Sequence, residues 1–282
     1  MTADILASRP RVLSIAGTDP TGGAGIHADI KAISAAGGYA LAAITTIVSQ
    51  NTQRVLQCFT PPREVLAAQL TAISQDVVLD GIKIGMLGTA ETIDTVQNWL
   101  ETSLTLEIPI VIDPVMIASS GKPLLADDAL PLLRKLLQRA TVITPNIPEL
   151  AALMGVGSIN SFAQACDVAT SCAQQFQCAV VVKGGHLHDP QLKNAIITSS
   201  GKLHSVEVPR VATRNTHGTG CSFSAAFATR LAARHSLIDA LQWTSEWMHT
   251  AISHADALCV GKGSGPLDHF AHCLSNSPIS AK

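Results

Sequence analysis

Short apolar runs rich in Val, Ile, Leu and Ala alternate with longer stretches of helical period along most of the chain. Runs of about four to eight apolar residues bounded by turn formers read as buried strands, whereas apolar residues at i, i+3, i+4 and i+7 mark one face of a helix. This pattern predicts strands over 12–16, 41–48, 81–84, 110–112, 142–144 and 179–182, with a short edge strand over 54–59. It predicts helices over 26–36, 62–74, 90–100, 127–137, 146–154 and 161–174. The segments 195–198 and 203–208, joined by Ser199-Ser200-Gly201, read as a hairpin, and long helices over 219–233 and 237–258 complete the core. Such alternation implies an α/β fold: a mainly parallel central sheet covered by helices on both faces, with a small hairpin extension. Ligands of these sheets bind beyond the carboxyl ends of the strands. Gly17, Gln50, Met86, Asp113, Asn146 and Lys183 all fall at such ends.

Composition narrows the function. Of 282 residues, 47% are hydrophobic and 14% charged, enough apolar material for one large core, and neither a repeat nor a long linker divides the chain. The net charge is −2 with no basic run, which argues against a nucleic-acid or anionic-membrane binder. No apolar stretch is long enough to span a bilayer, and residues 1–11 lack an apolar signal core. Seven scattered cysteines without a Cys-x-x-Cys pair suggest a reduced, cytoplasmic protein.

The chemistry concentrates in Asn215-Thr216-His217-Gly218-Thr219-Gly220-Cys221, just before a helix. A helix start leaves backbone N–H groups without partners and carries partial positive charge, so it suits an anion, most often a phosphate. Glycines let that backbone come close to a ligand. Cys221 stands where a thiol can lose its proton more easily. Neither a P-loop nor a G-x-G-x-x-G fingerprint is present.

Other positions carry two readings each. The stretch from Gly17 to Gly25 is either a turn between strand and helix or a backbone-lined substrate wall, with Asp29 on the next helix able to accept hydrogen bonds from a polar ring. Gln50 is either a solvated strand end or a donor–acceptor pair for a heterocycle with an amino group beside a ring nitrogen. Asn146 and Glu149 form a capping box, or in addition order waters around Mg²⁺. Lys183 is a surface lysine or a phosphate contact. His186 with His188, and His269 with His272, lack the further ligands of a metal site and read as structural.

Taken together, the segments Ala16 to Ile26, Ala28-Asp29, Gln50-Asn51-Thr52, Lys83 to Leu87, Asp113-Pro114-Val115-Met116, Thr144-Pro145-Asn146, Lys183 to His186, Thr216 to Cys221 and Val260 to Gly263 resemble the hydroxymethylpyrimidine/phosphomethylpyrimidine kinases of thiamine biosynthesis. The likeness covers about 11–270 and implies one ribokinase-like domain for the whole of 1–282, use of ATP and Mg²⁺, and a homodimer. It implies two successive transfers, first to the hydroxymethyl group of the pyrimidine and then to the resulting monophosphate. It places Gln50, Asp29, Gly17, Met86 and Val115 around the pyrimidine. Lys183, Thr216, Gly218, Thr219 and Gly220 fall to the nucleotide, and Cys221, Lys183 and Asp113 to catalysis, with Cys221 or Asp113 as base. The loop over 116–123 is expected to act as a lid. His27 stands where these kinases more often have Gln. Rival readings are a pyridoxine or pyridoxal kinase of the same fold, a Cys-nucleophile hydrolase, and a non-catalytic pyrimidine-binding regulator.

Overall fold

The computed structural model describes residues 9–103, 107–117, 123–187 and 191–274. The chain order is β1 (Arg11–Ala16), α1 (Gly25–Ala35), β2 (Tyr39–Ile44), β3 (Ile47–Gln50), β4 (Val55–Phe59), α2 (Arg63–Asp76), β5 (Gly81–Ile84), α3 (Ala90–Ser103), β6 (Ile110–Ile112) and α4 (Leu130–Leu137). It continues with β7 (Val142–Ile143), α5 (Ile147–Met154), α6 (Phe162–Phe176), β8 (Ala179–Lys183), β9 (Gln191–Ile197), β10 (Leu203–Pro209), α7 (Thr219–Ala232), α8 (Leu237–Ser253) and α9 (Ala271–Leu274).

Eight strands form one sheet in the order β10-β9-β8-β7-β6-β5-β1-β2. The strands from β8 to β2 run parallel, and β9 and β10 add an antiparallel edge. Side chains alternate across a strand, so a strand buried on both faces needs apolar residues throughout. In β1, Leu13 and Ile15 pack with Leu70 of α2, Ile93 of α3, Leu133 of α4 and Leu150 of α5. Val12 faces the opposite layer, with Ile33 of α1, Phe227 of α7 and Met248 of α8. The layers bring the carboxyl ends of β1, β6 and β8 to one edge, beside the start of α7. Trp243 and Trp247 stack within α8, at 5.9 Å between rings.

The hairpin expected over 195–208 joins the main sheet as β9 and β10. The strand expected over 41–48 is instead two. Thr45 donates its N–H to the Ala16 carbonyl at 3.0 Å and its hydroxyl to the Met86 carbonyl at 2.7 Å. Thr46 accepts from Thr18 N–H at 2.9 Å. These bonds to the ends of β1 and β5 turn the chain out of the sheet. β3 then pairs with β4 as a separate two-stranded flap, which leaves Ile47, Leu56 and Phe59 exposed. The long helix expected over 237–258 ends at Ser253 and continues as a 3₁₀ turn, Ala255–Leu258. Residues 118–122 of the expected lid, and His188, lie outside the described residues.

Candidate active site

A cleft of about 690 Å³ runs along the carboxyl edge of the sheet. One end is lined by Gly17, Gln50, Met86 and Val115. The middle holds Asp113, Lys183 and the start of α7. The far end is lined by Val208, Arg210, Val211, Met248 and Ile252, none of which stood out in the sequence.

No side chain caps α7; its N-cap is Gly218, in the left-handed region at φ 78°. A β-carbon on Gly218 would lie 1.8 Å from the Gly23 carbonyl oxygen, so the start of α7 is pressed against the glycine loop after β1. Of the first-turn amides, Thr219 N–H bonds the Thr216 carbonyl at 3.4 Å and Ser222 N–H the Gly218 carbonyl at 2.9 Å, which leaves those of Gly220 and Cys221, both lining the cleft, for a ligand. Two charged groups stand over Gly220 at ordinary contact distance. A β-carbon there would stand 3.5 Å from Lys183 Nζ and 3.6 Å from Asp113 Oδ2. Lys183 Nζ lies 3.1 Å from Asp113 Oδ1, and the Thr144 hydroxyl donates to the same oxygen at 3.1 Å. The ordered ends of β6, β7 and β8 thus converge on one ion pair beside one set of amides.

Glu149 sits at the same place. The capping box is present: Asn146 Oδ1 accepts from Glu149 N–H, and Glu149 Oε2 from Asn146 N–H, both at 2.8 Å. Burial pushes the Glu149 carboxyl up to about 7, the Asp113 charge adds to the rise, and Lys183 opposes it. Two crowded carboxyl groups of this kind suit a divalent cation carried in by phosphates, because Mg²⁺ takes few protein ligands and keeps several waters. Among the described residues no cluster of three His, Cys, Asp or Glu side chains forms a closed metal cage. His269 is buried and bonds Ser222 at 2.8 Å.

Two expectations need correction. Asp29 does not reach the cleft. It is fully buried, with Oδ2 2.8 Å from Lys83 Nζ and accepting from the Ser14 hydroxyl at 2.6 Å. Burial pushes its carboxyl up, against the pull of Lys83 and Ser14. The Cys221 thiol, expected to be acidified by the helix start, is instead pushed up to about 11 by burial; Lys83 pulls it down, while Asp29 and Asp113 add to the rise. Burial outweighs the helix terminus here because the terminal charge is only partial, although the side chain keeps some exposure at the cleft wall.

Asp19 was missed. It lines the cleft beside Gln50 and accepts from Thr21 N–H at 2.9 Å, Ala24 N–H at 2.8 Å and His217 Nε2 at 2.8 Å. Its signal is an Asp two residues before a Thr in a Pro- and Gly-rich turn, the pattern of a side chain that bonds the backbone just ahead of it. His27 braces the same turn from outside, accepting Asp19 N–H at 3.1 Å.

Comparisons with known proteins place the sequence and the fold in one family. The family model described as phosphomethylpyrimidine kinase matches residues 19–268. The thiamine biosynthesis multifunctional protein ThiED of Corynebacterium efficiens is 50% identical over 264 residues; the match covers 94% of this chain but 36% of that protein, so the chain spans about a third of it. The hydroxymethylpyrimidine/phosphomethylpyrimidine kinase of Escherichia coli is 40% identical over 263 residues, 93% of this chain and 98% of that protein. An ADP complex of Bacillus subtilis pyridoxal kinase superposes with a TM-score of 0.85 at 30% identity, over 95% of this chain and 100% of that one. The architecture is ribokinase-like, and the chain belongs to the phosphomethylpyrimidine kinase family.

Proposed function

We propose that this chain is an ATP-dependent kinase that phosphorylates 4-amino-5-hydroxymethyl-2-methylpyrimidine and then its monophosphate, in the cytoplasm, as one step of thiamine biosynthesis. The observation that carries the reading is the cleft itself, with ring-sized walls at the Gln50 end and the start of α7, Gly220 and Cys221, beside Lys183 and Asp113 in the middle. A nucleotide base fits the apolar far end between Val208, Met248 and Ile252. All seven cysteines are free, in keeping with a reducing compartment.

In this mechanism the Gln50 end orients the ring so that its hydroxymethyl oxygen faces the γ-phosphorus in line. The amides of Gly220 and Cys221, with Lys183, take up the charge that spreads over the transferred oxygens. Thr216 shapes the turn ahead of them. Glu149 and Asn146 would hold Mg²⁺ largely through water, and the ion would supply neutralisation of phosphate charge. Asp113, beside Lys183, takes the hydroxyl proton, because a thiol near 11 carries almost no thiolate at neutral pH. Phosphoryl transfer leans on positioning more than on the base, so Lys183→Ala is expected to lower kcat by about 10²- to 10³-fold.

The test is ATP consumption with hydroxymethylpyrimidine, its monophosphate and pyridoxal in parallel. Turnover of both pyrimidines is expected, and turnover of pyridoxal alone overturns the substrate assignment. Cys221→Ala and the pH profile of the parent separate the two bases. With Asp113 as base, the folded variant keeps near-normal kcat. With Cys221 as base, the variant loses turnover and the parent's kcat climbs toward the thiol value near 11, about tenfold per pH unit.

A further inference from the structure

Two buried contacts tie the ring end of the cleft to the phosphate end. The Asp19 carboxylate is 1% exposed and accepts from the Thr21 hydroxyl and N–H, from Ala24 N–H and from His217 Nε2. A carboxylate in that position can only accept, so His217 Nε2 carries the hydrogen. Gln50 lines the cleft near the same carboxylate and helps to keep it charged. His217 immediately precedes Gly218. Its own N–H donates to the Gly265 carbonyl at 3.0 Å, and its ring lies against Gly23, where a β-carbon would stand 2.5 Å from His217 Cδ2. Lys31 donates to the Gly22 carbonyl from the opposite side. The glycine loop is therefore clamped between Lys31 and His217, and the start of α7 rests directly on it.

We propose that Asp19 and His217 form a positioning pair that fixes the phosphate cradle at a set distance from Gln50, so that the ring hydroxyl and the transferred phosphoryl group meet in line. The proposal rests on the kinase reading above and adds two residues that touch neither the reacting oxygen nor phosphorus. Burial would raise the Asp19 carboxyl, but His217, Gln50 and Thr21 outweigh this and hold it far below the usual carboxylate range. Asp19 thus keeps its charge across the working pH range.

The test compares Asp19→Asn, His217→Ala, His217→Gln and the Asp19→Asn/His217→Ala double variant with the parent chain. Amide hydrogen exchange across 216–222 is expected to quicken by about tenfold in Asp19→Asn and His217→Ala while α8 is unchanged, since local opening is read segment by segment. Turnover is expected to fall about 10²-fold in both, with KM for ATP within about threefold, because small misplacements cost this much in rate. His217→Gln keeps a donor for Asp19 and is expected to recover most of the loss. The double variant is expected to match the worse single, as coupled residues do not add. Unchanged exchange over 216–222 in both single variants, or rate losses that multiply in the double variant, overturns the pair. Should Asp19→Asn not fold, the two His217 variants decide alone. A parent chain that phosphorylates neither pyrimidine sinks the kinase reading instead, and the exchange measurement still decides the pair.

Discussion

Lys83 and Asp29 are fully buried, bonded to each other beneath the catalytic edge of the sheet, and one Asp29 oxygen has no partner among the described residues. Breaking such a pair leaves a charge with nothing to neutralise it. Lys83→Met is therefore expected to cost about 3–5 kcal/mol in urea unfolding, and Lys83→Met with Asp29→Leu to regain most of that. Glu149 gives a signature in pH. Its carboxyl titrates near 7 in the folded chain and near 4.5 when free. Between those values the folded state holds the extra proton, so the contribution to stability falls as pH rises from 4.5 to 7. Glu149→Gln is expected to flatten this slope in thermal unfolding and to be more stable at pH 8 by up to roughly 3 kcal/mol. Residues whose role follows from their place at a strand end, such as Asp113 and Lys183, are legible in the sequence. Asp29 is misread because its helical phase was not followed: Ile26 and Ile33, three before and four after it, share its buried face. Asp19 goes unread because its partner His217 is 198 positions away.

At the level of elements, the flap β3–β4 carries Gln50 and is latched at its tip. Gly263 N–H donates to the Thr52 hydroxyl at 3.1 Å. A β-carbon on Gly263 would lie 2.0 Å from the Thr52 carbonyl oxygen. Gly263→Ala is expected to lift the flap and raise KM for the pyrimidine by about tenfold, roughly 1.4 kcal/mol, with KM for ATP little changed. Steady-state kinetics with each substrate varied in turn checks this. The parallel strands were legible because their burial on both faces demands unbroken apolar runs. The break between β2 and β3 was not, since the Thr45 and Thr46 bonds that cause it reach β1 and the Met86 turn, and a continuous β-branched run looks like one strand.

For the whole molecule, the flap leaves Ile47, Leu56 and Phe59 exposed on one short sheet. Ile47 and Phe59 are direct cross-strand partners, and an exposed apolar pair on a two-stranded ribbon gains from being covered, in keeping with the homodimer that the resemblance implies. Phe59→Asp is expected to shift the sedimentation of the chain from dimer to monomer, and a parent chain that sediments as a monomer removes that expectation.

Among the described residues, the Gln50 end and the start of α7 line one and the same cleft. A single inhibitor joining an aminopyrimidine head to an oligophosphate tail could therefore occupy both halves at once. Its binding would gain from the chelate effect, since the second half docks without a fresh loss of translational freedom.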